Sequence, residues 1–338
     1  MKKSVFIYLT LFALCLSLCQ SCQHKSQSDG NAIYYWRTTF RLDDYEQEFL
    51  KTHNVTKMYV RFFDVDQSND YDGIPVPTGT LLFVDSLPQG VEIVPTVFIT
   101  PSAIAEYPKF KDKLFQRISA MAEVNGVKFN EIQIDCDWTQ DESDAYFDFM
   151  TEFRKLLKEK GIKLSTTIRF SQLAGRVPDA DYGVLMCYNT GDFKDWEEDN
   201  SILDIDDVKP YMGALKKFKL PLAVAYPTFS WNLVFDSDEY FNEILYNEPD
   251  FSDAKKFKKI DDNRYEIVHE KQRDYDDYTP YYWDAYIRHE MPTAKEVLEV
   301  KELVEKNISD FNSQTILYHL DSENLSNYSK NDVEKIYR

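Results

Sequence analysis

Cysteine is scarce in this 338-residue chain, and most of it lies at one end. Three of the five cysteines fall within the first 22 residues, which leaves only Cys136 and Cys187 for the rest of the protein. A fold held together by disulfides is therefore excluded, and a chain of this length does not need disulfides to bury a core. Both cysteines lie within apolar, strand-like runs, so we predict two buried free thiols.

Several catalytic and cofactor-binding motifs are also missing. The chain has no glycine-rich loop that would cradle a phosphate, no Gly-x-Ser-x-Gly elbow, and five histidines without the spacing of metal ligands. We therefore predict no cofactor and no metal.

The chain also has few positive charges relative to its negative ones. It contains 39 lysines and arginines against 58 aspartates and glutamates, which gives a net charge of −19. Such a field repels nucleic acids and anionic surfaces, but it is compatible with a glycan.

No apolar run is long enough to span a bilayer. The longest is at the N-terminus, over residues 5–18, and follows two lysines. It is shorter than the roughly 20 residues that a membrane-spanning helix needs. A basic start followed by a short apolar core is typical of an export signal rather than of a membrane anchor.

The end of this signal resembles that of bacterial lipoproteins. Ser21 supplies the small residue that such signals place before the acylated cysteine, here Cys22, although Cys19 stands where they usually carry leucine. The resemblance implies a signal peptide over residues 1–22, an acylated Cys22 and a location at the cell envelope, in the outer membrane. Residues 23–30 are polar and predict a flexible tether. The alternative is an ordinary cleaved signal and a freely secreted product.

Eight short apolar or β-branched runs recur along the rest of the chain, separated by segments that mostly have helical periodicity. Strands that alternate with helices predict a parallel sheet, and eight such units predict a single α/β fold, a (β/α)8 TIM barrel over residues 31–338. The predicted strands are Ile33–Phe40, Lys57–Asp66, Val91–Thr100, Glu131–Thr139, Lys163–Ser171, Tyr182–Thr190, Pro221–Phe229 and Thr315–Glu323. The predicted helices are Tyr45–His53, Phe110–Val124, Ala145–Lys160, Val208–Lys219 and Ala294–Asn307. After the second and fifth strands we expect only short or irregular turns.

The connection between the seventh and eighth strands is much longer than the others. Before its helix it contains an insertion, about residues 232–292, that is rich in tyrosine and aspartate. Two strand-like segments, 256–260 and 264–269, flank Asp261-Asp262-Asn263, a pattern that predicts a β-hairpin. Insertions after barrel strands lie on the face where barrels keep their active sites. The insertion is interpreted either as a lid over the site or as a surface excursion.

The fourth predicted strand carries two carboxylates of the same parity, Asp135 and Asp137. Alternate residues of a barrel strand point inward, and burial of unpaired carboxylates is costly. Two neighbouring acids also raise each other's proton affinity, as general acid–base chemistry requires. We therefore predict both as catalytic residues. The alternative is that both are held by buried arginines, for which Arg37, Arg61 and Arg169 are candidates.

The residues at the end of this strand resemble those of a known enzyme family. Ile134-Asp135-Cys136-Asp137-Trp138-Thr139 resembles the Asp-x-Asp-x-Glu signature of glycoside hydrolase family 18, the chitinase-like TIM barrels. Met186-Cys187-Tyr188-Asn189 on the sixth strand resembles that family's Met-x-Tyr-Asp/Asn element, which implies that Tyr188 and Asn189 contact a sugar. The chain as a whole also resembles uncharacterised bacterial TIM-barrel lipoproteins.

The resemblance departs from the family at the position of the catalytic acid. Thr139 stands where the family has glutamate, and its hydroxyl cannot protonate a glycosidic oxygen at neutral pH. Three interpretations remain: an acid from another strand end, Asp137 itself as the acid, or a barrel that binds sugar without cleaving it. The candidates for an acid from elsewhere are Asp64, Asp141, Glu142, Asp321 and Glu323.

Other polar and aromatic side chains at predicted strand ends are candidates for substrate binding. Arg169 shares the parity of Ser165 and Thr167 on the fifth strand, which places a cation near the two acids. The full predicted substrate-binding set is Tyr188, Asn189, Met186, Arg169, Asp321, Glu323, Asp64, Trp36 and Trp231.

Two functions are consistent with these residues. The first is a glycosidase-like enzyme that acts on a glycan by carboxylate acid–base chemistry, and the second is a non-catalytic carbohydrate-binding barrel that has lost the catalytic acid. A second carboxylate within about 5–10 Å of Asp137 across an open cleft supports hydrolysis, whereas Asp137 held by an arginine supports binding. Because Asp135 is predicted to lie deeper in the barrel, we expect Asp135→Asn to destabilise the protein more than Asp137→Asn.

Overall fold

Eight parallel strands form the centre of the protein in the computed structural model, which describes residues 30–71, 73–245, 249–268 and 285–338. The predicted signal peptide and nearly all of the predicted tether, residues 1–29, lie outside the described residues. The strands are β1 (Asn31–Tyr35), β2 (Val55–Gln67), β3 (Glu92–Ile99), β4 (Glu131–Asp135), β5 (Lys163–Ile168), β6 (Tyr182–Met186), β7 (Leu222–Pro227) and β8 (Phe311–Tyr318).

The strands close on themselves into a barrel. Each of β1 to β7 pairs in parallel with the next, and β8 pairs in parallel with β1, where Ala32 lies opposite Ile316. The predicted (β/α)8 TIM barrel is therefore confirmed. Several strands end earlier than the apolar runs suggested. For example, β4 ends at Asp135 and β8 ends at Tyr318. The last residues of those runs lie in the loops at the carboxyl-terminal face.

Helices surround the barrel, and three of the five longer ones begin after a residue whose side chain caps the first turn. The longer ones are α1 (Asp44–Thr52), α2 (Lys111–Val124), α3 (Ser143–Glu159), α4 (Ala294–Asn307) and α5 (Lys330–Tyr337). Short helices lie at Pro101–Ile104, Ile205–Val208, Met212–Leu215 and Ser322–Leu325, and 3-10 turns at Asn69–Tyr71, Tyr107–Lys109, Phe170–Ala174 and Lys209–Tyr211. Thr293 and Glu296 form a capping box that starts α4 at the predicted residue.

One predicted helix is wrong. The segment 208–219 does not form one continuous helix, because the 3-10 turn Lys209–Tyr211, which contains Pro210, separates the short helices Ile205–Val208 and Met212–Leu215. Proline has no backbone N–H to donate and its ring clashes with the preceding turn, so it interrupts the helical hydrogen bonds. The irregular connections predicted after β2 and β5 are confirmed. After β2 the chain returns as a short antiparallel strand, Pro75–Thr78, and after β5 it forms only a 3-10 turn.

The insertion between β7 and α4 forms a separate antiparallel sheet in its described part. Its strands lie in the order Phe241–Leu245, Trp231–Phe235, Tyr286–Glu290, Arg264–Ile267 and Phe257–Lys259. The last two pair with each other, which confirms the predicted hairpin. A fully buried ion pair between Arg288 and Glu290 joins this sheet to the loop after β6, because Glu290 also accepts a 2.9 Å hydrogen bond from the amide of Ser201.

The barrel interior is more polar than its apolar outer layer. Glu131, Gln133 and Asp135 on β4 are all buried and point inward, as their parity predicts. Tyr34 on β1 donates a 2.8 Å hydrogen bond to Gln133 across the interior.

Cys136 and Cys187 are buried free thiols, as predicted. Within the described ranges, no helix is both long enough and apolar enough to cross a bilayer.

Candidate functional site

A cavity of about 270 Å³ opens where the carboxyl ends of the barrel strands meet. This is the end at which TIM barrels place their functional side chains. The cavity brings together the predicted residues Trp36, Asp64, Asp135, Asp137, Arg169, Met186, Tyr188 and Asn189. Its other lining residues are Tyr34, Arg61, Phe98, Thr167 and Tyr318. Seven of the eight strands or their following loops therefore supply the walls.

Asp137 lies on the loop just after β4 and is held by the arginine that follows β5. The Arg169 guanidinium donates from Nη2 to Oδ2 of Asp137 at 2.6 Å and from Nε to Oδ1, a bidentate pair. About a third of each side chain remains exposed. Paired arginine and carboxylate groups in this geometry form the stronger class of charged hydrogen bonds. The carboxylate is thus bound on both oxygens, which leaves it poorly placed to exchange a proton with a ligand.

Asp64 at the end of β2 has the same arrangement. Arg61, three residues earlier, donates from Nε to Oδ1 of Asp64 at 2.7 Å and from Nη2 to Oδ2. Both side chains are mostly buried. Two of the three carboxylates that line the cavity are therefore paired with guanidinium groups.

Asp135 is the deepest of the three carboxylates and has no such pair among the described residues. Its side chain is almost fully buried and accepts a 2.6 Å hydrogen bond from the Thr167 hydroxyl. Burial, and after it the nearby charge of Asp137, raises the pKa of Asp135 to about 7, although the Thr167 hydrogen bond and the charge of Arg169 act in the opposite direction. This acid therefore carries a proton in a large fraction of molecules near neutral pH.

Aromatic rings form the opposite wall of the cavity. Tyr188 stacks on Tyr318 with 4.5 Å between the ring centroids, and Tyr318 also contacts Trp36 and Tyr34. Burial raises the pKa values of the Tyr188 and Tyr34 hydroxyls, so both remain protonated donors. Flat aromatic faces beside hydrogen-bonding groups form an amphipathic surface that suits a ring-shaped polar ligand.

The end of β6 contributes the remaining predicted residues. Met186 is the last residue of the strand and is buried against the cavity, while Asn189 is exposed at its rim. Asn189 has a φ of 53°, in the left-handed region that asparagine adopts more readily than most residues. Its side chain therefore lies at the entrance, close to the stacked Tyr188.

Thr139, at the position of the missing glutamate, lies outside this cavity. Its hydroxyl donates a 2.7 Å hydrogen bond to Glu142 at the start of α3, and both residues are exposed or nearly so. The preceding Trp138 turns away from the cavity and stacks on Tyr146 of α3, with 5.4 Å between the centroids. The backbone has thus left the strand path by position 139, so an acid placed there would need a different loop conformation to reach the site.

Three predicted binding residues are not part of the cavity lining. Asp321 caps the short helix after β8 and accepts a 3.0 Å hydrogen bond from the amide of Asn324. Glu323 lies exposed within that helix. Trp231 donates from its indole N–H to Glu290 in the insertion sheet at 2.7 Å. The alternation used to place the two acids assumed that β8 continues past Tyr318, where it in fact ends.

Sequence reasoning did not include Tyr34, Phe98, Thr167 and Tyr318 in the binding set, and it treated Arg61 only as a partner for the acids. The parity of Thr167 with Arg169 was the available signal for one of them. A chain with 23 tyrosines gives no signal for a particular tyrosine. Within the described residues, no group of three histidine, cysteine, aspartate or glutamate side chains is arranged to hold a metal ion.

A larger groove, of about 840 Å³, lies elsewhere, between α1 and residues 84–91. Its walls include Lys51 and Asp85 but none of the predicted site residues. Size alone favours this groove, whereas chemistry favours the barrel cavity, where three carboxylates and two guanidinium groups converge. Convergent polar groups decide specificity, so we take the smaller cavity as the candidate site.

No protein-family model matches the chain, and no curated protein matches its sequence. Among solved structures, the spore cortex-lytic enzyme SleL of Bacillus megaterium QM B1551 matches with a TM-score of 0.54 at 14% identity, over 91% of this chain and 74% of that one. A chitinase from Chromobacterium violaceum ATCC 12472 matches with a TM-score of 0.55 at 12% identity, over 91% and 98% of the two chains.

A third match is a mutant of the Group II chitinase catalytic domain 2 of Ostrinia furnacalis, solved in complex with a penta-N-acetylchitooligosaccharide. Its TM-score is 0.50 at 13% identity, over 91% of this chain and 95% of that one. At such identities the likeness establishes the fold. The protein therefore has the chitinase-like TIM-barrel fold that the strand-four residues implied.

Proposed function

We propose that this protein is a glycan-binding barrel of the cell envelope that holds a sugar at the carboxyl-terminal face without cleaving it. The observation that carries the proposal is the bidentate pairing of Asp137 with Arg169. Glycoside hydrolysis requires one carboxylic acid to protonate the leaving oxygen and a second carboxylate to assist on the other side. In the described cavity, both carboxylates nearer the rim are already neutralised by arginines.

The charge of the cavity also suits a neutral ligand. Its lining carries three aspartates and two arginines, and about half of the Asp135 side chains carry a proton at pH 7, because their pKa is about 7. The formal charge is then zero with Asp135 protonated, because two anionic carboxylates balance two guanidinium groups. Sugar hydroxyls can donate to paired carboxylates and accept from guanidinium groups, while the ring packs against an aromatic wall. The chitinase-like fold supports a glycan as the ligand class.

The location is part of the same proposal. The predicted acylation of Cys22 would hold the barrel at an envelope membrane, with its binding face free to meet glycans. A single acyl chain binds membranes only marginally, whereas several chains on one residue hold a protein firmly. The anchor thus converts a weak sugar interaction into a persistent one by keeping the barrel near its ligand.

The test is a glycan array, scored for binding and for cleavage with the purified full chain. We expect binding to at least one neutral glycan, no new reducing ends after prolonged incubation, and loss of binding in Trp36→Ala. Tyr240→Ala is the matched control, because Tyr240 is an aromatic residue that is 71% exposed and lies outside the cavity. Release of a cleaved product would contradict the non-catalytic assignment, and equal binding by Trp36→Ala would contradict the site.

One observation favours an enzyme as the second candidate. A buried acid whose pKa lies near 7 is suited to donate a proton at neutral pH, and Asp135 has this property. In that case hydrolysis would use Asp135 as the acid. Cleavage that disappears in Asp135→Asn while binding persists would establish this second function.

A further inference from the structure

A second groove, of about 570 Å³, adjoins the candidate site and has the opposite charge to the protein as a whole. Its walls are Trp36, Arg37, Thr38, Thr39, Arg41 and Arg61. Three arginines thus line one space whose lining contains no carboxylate, in a chain of net charge −19. A concave cationic surface focuses the local potential and attracts anions.

The loop that supplies most of this groove is rigidly held. The Tyr35 hydroxyl donates to the carbonyl of Thr39 at 2.6 Å and accepts from the amide of Arg41 at 2.9 Å. Thr39 and Phe40 also pair in parallel with Leu82 and Phe83. The backbone that carries these arginines is therefore fixed before binding, so that a ligand has to order only their side chains.

The three arginines differ in how far their charge is already used. Arg37 contacts the fully buried Glu46 at 2.5 Å, and Arg61 is paired with Asp64. Arg41 is exposed, and no carboxylate of the described residues lies within 4.0 Å of it. Counting these three arginines and two acids leaves one positive charge, which matches one anionic group.

The groove and the candidate site are neighbours that share two lining residues. Trp36 and Arg61 line both spaces, and the Arg61 guanidinium lies 5.8 Å from the centroid of the Trp36 ring. A chain of sugars could therefore place one ring in the cavity and the next beside the arginines, with the indole between them. The paired acids remain on the cavity side of this boundary.

We propose that this groove, the arginine groove, is an anionic subsite that binds a sugar carrying a carboxylate, next to the sugar held in the cavity. The planar guanidinium of Arg41 presents two parallel N–H donors that match a carboxylate. This inference rests on the proposed glycan-binding function. The inference goes beyond that function because it names the ligand class, an acidic glycan of the uronic-acid type. The neutral unit of this glycan occupies the cavity, and its acidic unit occupies the arginine groove.

The probes are pairs of oligosaccharides that end in glucuronate or in its uncharged methyl ester, and calorimetry measures their affinities for the purified full chain. We expect the acid to bind on the order of tenfold more tightly than the ester, since a hydrogen bond to a charged group is worth that much. This preference should shrink as salt is raised, because screening weakens attraction at an exposed site.

The decisive variant is Arg41→Gln, which we expect to lower the affinity for the acid to that for the ester. Arg41→Lys keeps the charge and should retain part of the preference. Arg176→Gln is the matched control, because Arg176 is an exposed arginine outside both spaces, and it should keep the full preference. Equal affinities for acid and ester in the unmodified protein would overturn the subsite, as would an unchanged preference in Arg41→Gln.

The failure of this inference is distinguishable from the failure of the proposed function. If neutral glycans bind and glucuronate adds nothing, the arginine groove is not a subsite, while the glycan-binding barrel stands. If no glycan of either kind binds, the proposed function falls and the acidic subsite falls with it.

Discussion

The protonation of Asp135 can be tested through the stability of the protein. Burial raises the pKa of Asp135 from the ordinary value for an aspartate, about 4, to about 7. One unit corresponds to roughly 1.4 kcal/mol, so the full effect is up to about 4 kcal/mol. The side chain is only slightly exposed, so solvent screening does not remove most of this effect.

The sign follows from where the proton is held more tightly. The folded state retains the proton of Asp135 up to pH about 7, whereas the unfolded chain releases it near pH 4. Between these values folding takes up a proton, so the contribution of this residue to the free energy of unfolding falls as the pH rises. Below pH 4 Asp135 does not lower the free energy of unfolding, and above pH 7 it lowers it by the full amount.

Asp135→Asn removes the titration while preserving the shape. The amide oxygen of asparagine can still accept the hydrogen bond from Thr167. We expect the free energy of unfolding of the variant to rise relative to that of the unmodified protein by about 1.4 kcal/mol per pH unit up to pH 7. Above pH 7 the difference between the two proteins should stay constant. At pH 8 the variant should be the more stable protein. The depth of Asp135 alone predicted that Asp135→Asn destabilises the protein more than Asp137→Asn, and the raised pKa of Asp135 is the reason for the different expectation at this pH.

The assay is urea denaturation followed by circular dichroism at pH 5.5, 6.5, 7.5 and 8.5, at constant ionic strength, with the linear extrapolation applied identically to both proteins. Asp141→Asn, which changes an exposed carboxylate on the following loop, is the control and should show no such pH-dependent gain. A stability difference that stays flat across the series would refute the reasoning. It would mean that Asp135 is ionised in the folded protein and stabilised by Arg169.

Three further predictions follow from the structure. Asp137→Asn should cost no more than about 1 kcal/mol, because partly exposed ion pairs contribute little, and should lower the melting temperature by only a few degrees; a loss of several kcal/mol would show that the ion pair is a main support of the fold. Cys22→Ala should move the protein from the membrane fraction to the soluble fraction, and mass spectrometry of the mature N-terminus should find acyl groups on Cys22; a free N-terminus beyond it would contradict the anchor. Limited proteolysis should release no stable fragment ending near residue 230, because β8 closes the barrel between β7 and β1; isolation of such a fragment would contradict a single closed barrel.

The arginines are the reason why we propose binding rather than hydrolysis for this barrel. In the sequence, Asp135 and Asp137 form one pair of acids that raise each other's proton affinity. In the structure, Arg169 binds Asp137 and leaves Asp135 buried and readily protonated, so the two acids have different environments. A glycan can use the first as a hydrogen-bonding partner through its ion pair. Asp135, at the base of the cavity, is buried and can take up a proton, but it is poorly accessible to a ligand.

The sequence by itself determined the architecture and much of the site's composition. Runs of alternating or apolar residues separated by helical patterns are local features, and eight of them can close into one parallel barrel. Helical periodicity predicted the bounds of α4, and strand periodicity predicted the inward parity of Gln133 and Asp135. Because every strand end of a parallel barrel lies on one face, residues from several distant strands could be assigned to one site.

Only the tertiary structure decided which of those residues contact each other and which leave the site. Asp137 and Arg169 are 32 residues apart, and their pairing depends on the register between β4 and β5. Asp321 and Thr139 fell outside because their strands end earlier than the apolar runs do, after which strand parity no longer fixes a side chain's direction. The pKa of Asp135 likewise depends on burial and on charges from three strand ends, which no local pattern contains. The local periodicity of the sequence determines where helices and strands form. Which side chains contact each other, and whether Asp135 is protonated, depends on how those helices and strands pack in the closed barrel.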